Sequence, residues 1–196
     1  MSQEVTKERI LDAAEELMIN RSFHSVGLAQ ILAAVKVTKG AFYYHFESKE
    51  QFGVEMLKHY ANNSAQKKQA LLLSTESTEN PIERLLSFFE MMINTTLEND
   101  FKPPCLIHKL ATEVADFSDA MRREVAAALD HTISVFTQTL DEAVAKKLLP
   151  PHLNTQEEAA LILDLWNGAL LRALAHRDAS PLRKAVSAMH RQLHSC

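Results

Sequence analysis

The sequence predicts an all-α fold, and three observations support this prediction. Turn-forming residues are scarce, with four Gly and six Pro in 196 residues, fewer than a β-rich chain uses. Apolar residues recur at helical spacing over long stretches, and helix-start signals precede several of those stretches. We therefore expect about nine helices, arranged as a three-helix N-terminal head and a larger C-terminal helical bundle.

Two short helices, separated by a three-residue turn, follow an amphipathic first helix that we place at 6–21. Over 27–35 the apolar residues have the i, i+3, i+4, i+7 spacing of one buried face; they are Leu28, Ile31, Leu32 and Val35. Residues 36–38 form the turn, and Thr38 is a suitable N-cap for a second helix ending near residue 46. This helix-turn-helix arrangement lays the second helix in the major groove of DNA.

The second short helix has an aromatic side and a polar side. Phe42 and Phe46 lie one turn apart and should anchor it from behind. The outward-facing residues include groups that donate to phosphates or meet base edges; they are Thr38, Lys39, Ala41, Tyr43, Tyr44 and His45. We interpret this helix as a DNA recognition helix.

The pattern Val37-Thr38-Lys39-Gly40-x-Phe42-Tyr43-x-His45-Phe46-x-Ser48-Lys49 resembles the signature of the TetR family. The resemblance implies a DNA-binding domain at 4–64, with its helix-turn-helix at about 27–46, and an effector-binding and dimerisation domain at 65–196. It also implies a transcriptional repressor released from a near-palindromic operator by a small-molecule, electrophilic or oxidant signal. Lys36 replaces the usual turn glycine, so either it adopts a positive φ or the turn differs slightly. Ala29 replaces a common polar residue.

The same resemblance assigns roles in DNA binding to individual residues. Lys39 and Lys49 should contact phosphates or a guanine edge. Thr38, Tyr43 and His45 should hydrogen-bond the DNA backbone. Ala41 lies among them and is also expected to contact the DNA. Tyr44 or Gln30 is expected to touch bases.

The net charge, the N-terminal sequence and the cysteine content limit how the protein can bind DNA and where it is expected to be. The net charge is −4, and up to Tyr60 there are seven Lys or Arg against eight Asp or Glu. DNA binding must therefore depend on locally placed lysines rather than on bulk charge. We expect a soluble, cytoplasmic protein without a membrane partner, since no leader pattern and no apolar run near eighteen residues is visible. The cysteines, Cys105 and Cys196, do not make a disulfide framework.

The C-terminal bundle contains the expected dimer contacts. A helix shared between head and bundle should run from Ser48 to about Leu73, with further helices beginning near 81, 105, 118, 159 and 182. The 159–176 helix is apolar all round and needs a second partner, and 182–193 has a helix-packing seam. We expect both to pair with their copies in a two-fold, four-helix bundle, through Leu165, Gly168, Ala169, Leu182, Val186, Met189 and Leu193.

Cys105 is the leading candidate for a sensor. It follows two prolines at a helix start, where unpaired amides and the helix dipole favour a thiolate, and His108 and Lys109 follow on the same face. Residues 104–114 are also similar to the N-ethylmaleimide reductase repressor branch of the family, in which a cysteine responds to electrophiles and oxidants. Alternatively, Cys105 is a small buried hydrophobe beside a non-covalent effector pocket, with Met92, Phe88 and Trp166 as candidate lining residues. Cys196 should be dispensable.

Two other classes of protein are alternatives. A cysteine-dependent enzyme would use Cys105 as a nucleophile, although the GxSxG, P-loop and HExxH patterns are absent. A helical interaction module would lack DNA binding. We expect no enzyme activity, no cofactor and no metal site, because His190, His194 and Cys196 resemble a solvated tail more than a ligand set.

Overall fold

A computed structural model describes residues 3–21, 23, 25–103, 105–114 and 118–194. Those residues form nine α-helices and no strand, which confirms the all-α prediction. The helices are α1 (Gln3–Asn20), α2 (Leu28–Val35), α3 (Lys39–His45), α4 (Lys49–Leu73), α5 (Pro81–Glu98), α6 (Leu106–Val114), α7 (Asp119–Ala145), α8 (Thr155–His176) and α9 (Ser180–His194). No helix among the described residues combines the length and the apolar character needed to cross a lipid bilayer.

The chain divides into two compact units, and the division does not follow sequence order throughout. The first unit comprises Met1–Ser64 and Cys105–Ala128, and the second comprises Ala65–Pro104 and Leu129–Cys196. One boundary between the units lies within α4, after Ser64. Residues 105–128 belong to the same unit as the three N-terminal helices.

The core of the first unit depends on a close helix approach at Gly53. A Cβ at this position would lie 2.7 Å from Cζ of Phe23 and 2.8 Å from Sδ of Met121. A methyl group at this position would therefore force the Phe23 ring, the Met121 side chain or α4 itself to shift. Beside this contact, Phe42, Phe46 and other apolar side chains of α1 to α4 are fully buried.

The second unit is built around aromatic side chains and the seam of α9. The ring centroids of Phe89 and Trp166 are 4.9 Å apart, and Phe136 lies 5.5 Å from Phe89. The predicted seam of α9 lies in this same core, where α9 packs against α5 and α8. The buried members of the expected dimer set are Ala169, Leu182, Val186, Met189 and Leu193. Their side chains are therefore occupied within their own chain.

Arg84 holds the end of α4 and the following loop in place. Its Nε donates to the carbonyl oxygen of Leu72 at 2.8 Å, and Nη1 donates to that of Thr78 at 2.9 Å. The buried guanidinium also pairs with Glu142 of α7. A buried charge is stable only when it is paired and hydrogen-bonded, and these three partners take one hydrogen bond from each guanidinium nitrogen.

Candidate DNA-binding surface and cysteine site

The turn between α2 and α3 uses a left-handed residue. Lys36 has φ 55° and ψ 42°, and its N–H donates to the carbonyl oxygen of Leu32, which closes α2. Of the two alternatives for this position, the structure thus shows the positive φ. A non-glycine residue in this conformation costs about 1–2 kcal/mol, and the capping bond offsets part of it.

The N-cap and the buried face of α3 are as predicted. Oγ1 of Thr38 accepts from the N–H of Ala41 at 3.2 Å, so the hydroxyl hydrogen remains available to a phosphate oxygen. Phe42 and Phe46 are fully buried. The other candidate contact residues lie at the surface: Gln30, Thr38, Lys39, Tyr43 and Tyr44 are exposed, and Ala41, His45 and Lys49 are half-buried.

The two candidate phosphate-binding lysines have different surroundings. Nζ of Lys39 lies 5.8 Å from the ring centroid of the exposed Tyr43. Nζ of Lys49 instead donates to the carbonyl oxygen of Phe23 at 3.2 Å and lies 4.9 Å from the Phe23 ring. Lys49 therefore also contributes to the fold of the head, whereas Lys39 is presented outward.

A reactive thiol environment surrounds Cys105, just before α6. The hydroxyl of Tyr60 accepts from the N–H of Leu106 at 3.0 Å and hydrogen-bonds the Cys105 thiol. Burial raises the pKa of Cys105, but the hydrogen bond and positive charge of His108, with the bond from Tyr60, lower it to about 6. Burial and the neighbouring thiolate raise the pKa of Tyr60, so its hydroxyl stays protonated and donates to sulfur.

Lys109 does not act on the thiol in the way its spacing suggested. Its Nζ donates to the backbone carbonyl oxygens of Met18, Ile19 and Arg21 at the end of α1. The side chain that lowers the pKa of Cys105 by its charge and hydrogen bond is that of His108.

Sequence analysis missed Tyr60. It lies on α4, 46 residues before Leu106, and no local pattern connects two positions so far apart. Only the packing of α6 against the rest of the first unit brings the phenol to the thiol.

The remaining effector candidates lie in the second unit. Phe88 and Trp166 belong to its aromatic core, and Met92 packs against that core. The structure therefore assigns these three side chains to a different unit from Cys105, His108 and Lys109.

Two short helices, a tight turn and an exposed face carrying Lys39, Tyr43 and Tyr44 are the features of a helix-turn-helix DNA-binding protein. Family comparison agrees with this class. Residues 10–56 match the family "Bacterial regulatory proteins, tetR family", and residues 81–189 match "Tetracyclin repressor-like, C-terminal domain". The chain belongs to the TetR family of transcriptional regulators, as the sequence motif predicted.

Individual relatives cover nearly the whole chain. The HTH-type transcriptional repressor NemR of Escherichia coli strain K12 is 32% identical over 182 residues, which are 93% of this chain and 90% of NemR. The HTH-type transcriptional repressor DhaR of Mycobacterium sp. strain GP1 is 26% identical, over 98% of this chain and 94% of DhaR. Both relatives are named as transcriptional repressors.

Solved structures share the fold. The crystal structure of reduced E. coli NemR has a TM-score of 0.84 at 32% identity, covering 94% of this chain and 95% of NemR. The regulatory protein TetR from Rhodobacter sphaeroides has a TM-score of 0.81 at 26% identity, covering 95% and 97% of the two chains.

Proposed function

We propose that this protein is a homodimeric repressor that leaves its operator when Cys105 reacts with an electrophile or an oxidant. The observation that carries the proposal is the thiol site itself. His108 and Tyr60 lower the pKa of Cys105 to about 6, so most of the sulfur is thiolate at neutral pH. The site lies in the same compact unit as the helix-turn-helix.

The thiolate is the reacting group. With an α,β-unsaturated carbonyl compound, the sulfur attacks the β-carbon and an S–C bond forms while the C=C π bond breaks. The electron pair moves to the carbonyl oxygen as an enolate, which then takes a proton from solvent. With hypochlorous acid, the sulfur takes chlorine and hydroxide leaves. Either product removes the negative charge that His108 and Tyr60 stabilise.

The exposed face of α3 is the part that binds DNA in this proposal. Lys39 neutralises a phosphate, while Thr38, Tyr43 and His45 position the backbone. Tyr44, which is 66% exposed, and Gln30 reach base edges. A two-fold dimer presents two such faces about one helical turn of DNA apart, roughly 34–36 Å, which requires a near-palindromic operator.

The dimer contact rests on the apolar residues of α8 that its own chain leaves uncovered. Leu161 and Leu171 are 52% and 71% exposed, and Leu165 is 40% exposed. Gly168 lies between them, and a Cβ there would meet nothing within 4 Å in the chain. Large apolar residues clustered around a glycine on one helix allow a second helix to approach closely.

The test compares wild-type protein with Cys105→Ser, using Cys196→Ser as the matched control. Operator DNA is first selected from a random pool by the wild type. We expect acrolein or hypochlorite to release the wild type and Cys196→Ser, while Cys105→Ser stays bound. Mass spectrometry should find the adduct at Cys105. Equal release of all three proteins would exclude Cys105 as the sensor.

A non-covalent effector is a second candidate, favoured by unpaired polar atoms in the second unit. Nε2 of His131 and Oδ1 of Asn167 are buried without a hydrogen-bond partner among the described residues, and a polar ligand would satisfy them. This candidate would be supported if an unreactive small molecule released Cys105→Ser from operator DNA but did not release His131→Leu.

A further inference from the structure

Lys109, in the first turn of α6, caps the carboxyl end of α1. Its Nζ donates to the carbonyl oxygens of Met18 at 2.6 Å, Ile19 at 2.9 Å and Arg21 at 2.9 Å. The last carbonyls of a helix have no partner within the helix, and a cation beside them is favoured by the helix dipole. The last turn of α1 has no basic residue of its own. Helix α6 therefore supplies the cation that this helix end lacks.

The capping bonds use the whole ammonium group. A lysine ammonium has three hydrogens, and three carbonyl oxygens accept them at 2.6, 2.9 and 2.9 Å. Each bond depends on the direction as well as the distance between Nζ and the oxygen. A small displacement or rotation of α6 would therefore break bonds at this end of α1.

Lys109 is tied to the backbone of Cys105. The N–H of Lys109 donates to the carbonyl oxygen of Cys105 at 3.2 Å. The N–H of Leu106, the residue after Cys105, donates to the hydroxyl of Tyr60. Cys105 is half-buried, so a group added to its sulfur needs space in this first turn. Its accommodation moves the turn that carries Lys109, because interiors are closely packed.

The end of α1 is connected to the helix-turn-helix. The side chain of Met18 is fully buried in the head, and α1 packs against α2. Nη2 of Arg9 donates to the carbonyl oxygen of Val35, the last residue of α2, at 3.4 Å. A shift of α1 therefore reaches the start of the turn before the recognition helix.

The geometry points to Lys109 as the positioning residue that transmits the state of Cys105 to the DNA-binding head through the end of α1. This inference rests on the proposed function, since it requires that modification of Cys105 weakens operator binding. Unmodified Cys105 leaves the three-carbonyl cap intact and α1 in its binding position. Modified Cys105 displaces α6, the cap opens, and the head changes its position on DNA.

The test measures the ratio of operator dissociation constants with and without alkylation at Cys105, for wild type, Lys109→Met and Lys67→Met. Lys67 is an exposed helical lysine on α4, so its substitution is a control for loss of one charge. We expect alkylation to weaken operator binding by about tenfold or more in wild type and control. In Lys109→Met the ratio should fall below about threefold, although Cys105 is alkylated at an unchanged rate. A merely structural lysine would change stability and leave this ratio as it is.

Hydrogen exchange of the wild type tests the same inference without DNA. Alkylation should accelerate exchange of the amides in the last turn of α1, at residues 17–20, and Lys109→Met should show the fast exchange before alkylation. The role of Lys109 is overturned if alkylation leaves exchange in this turn unchanged. It is also overturned if alkylation weakens operator binding by Lys109→Met as much as it weakens binding by the wild type. If alkylation leaves operator affinity of the wild type unchanged while exchange in α1 rises, the proposed function fails and the cap remains supported.

Discussion

At the scale of single residues, the pH dependence of Cys105 reports its environment. Burial alone would raise its pKa, but His108 and Tyr60 lower it from 9.0 to about 6. We therefore expect the rate of alkylation by iodoacetamide to rise with a midpoint near pH 6, measured by mass spectrometry from pH 4.5 to 9. In His108→Ala the midpoint should move upward. A wild-type midpoint near pH 8.5–9, the value of an ordinary thiol, would contradict the proposed site.

The same pKa has a consequence for stability, and its sign follows from linkage. A lowered pKa in the folded state means that the thiolate adds to the free energy of unfolding at high pH. This contribution is complete above the unfolded value of 9.0 and is lost as pH falls toward about 6. The stability difference between wild type and Cys105→Ser should shrink over that interval.

Tyr60→Phe isolates the hydroxyl that donates to the thiolate. The substitution removes one stabilising hydrogen bond from sulfur and leaves the N–H of Leu106 without its 3.0 Å acceptor. We expect the pKa of Cys105 to rise and alkylation at pH 7 to become slower. Tyr44→Phe, which removes a hydroxyl from an exposed ring on α3, should not change the rate. Equal rates for wild type and Tyr60→Phe would show that the phenol does not stabilise the thiolate.

Lys39 and Lys49 should differ when each is replaced by Ala. Loss of Lys39 removes an outward cation, so operator affinity should fall for all sequences alike and the salt slope should become shallower by about one unit. Loss of Lys49 also removes its bond to Phe23, so the melting temperature should fall as well. Salt titrations of operator binding and thermal unfolding measure the two effects. An unchanged salt slope in Lys39→Ala would exclude a phosphate contact at this position.

At the scale of helices, the sequence predicted the features that depend on residues close together in the chain, such as helix caps. The hydroxyl of Thr38 and the amides of α3 are neighbours in sequence, so the cap was readable from four residues. The start of α4, predicted at Ser48, has a cap of the same kind, since Oγ of Ser48 accepts from the N–H of Gln51 at 3.0 Å. The apolar period predicted which segments are helical. It did not give the exact ends, since α1 begins three residues before the predicted start.

Contacts between distant helices were not predictable from the same patterns. Lys109 lies 91 residues from Met18, and spacing along α6 suggested only its neighbours in sequence. The seam of α9 shows a second limit, because packing against a helix of the same chain and packing against a partner require the same apolar period. Leu182 and Met189 pack within their own chain, and the sequence alone does not distinguish the two cases.

Gly53 gives a test of helix packing in the head. An added methyl group would meet Phe23 and Met121 at less than 3.0 Å, so Gly53→Ala should lower the free energy of unfolding by about 1–3 kcal/mol. Gly40→Ala is the matched control, because the nearest atom to its Cβ, Oγ1 of Thr38, is 3.9 Å away. That substitution should stabilise α3 by up to about 1 kcal/mol. Denaturant unfolding measures both changes in the free energy of unfolding. Stabilisation of Gly53→Ala by as much as Gly40→Ala would refute the close approach.

At the scale of the whole molecule, operator recognition by two heads depends, in the proposed dimer, on the apolar residues of α8. Leu161 and Leu165 are one turn apart, and Leu171 is 71% exposed on the same helix. Placing a carboxylate in a paired apolar surface buries an unpaired charge, so Leu165→Asp should be monomeric in sedimentation at micromolar concentration. Its affinity for a two-half-site operator should then fall toward that for a single half-site.

The control for this test is Leu148→Asp, which changes a leucine that is 43% exposed elsewhere in the second unit. This variant should remain dimeric and protect both half-sites of the operator. The wild-type footprint should consist of two halves separated by about one helical turn, because in the proposed dimer a two-fold axis relates the two recognition helices. A dimeric Leu165→Asp protein, or a single undivided wild-type footprint, would exclude the α8 face as the contact that sets this spacing.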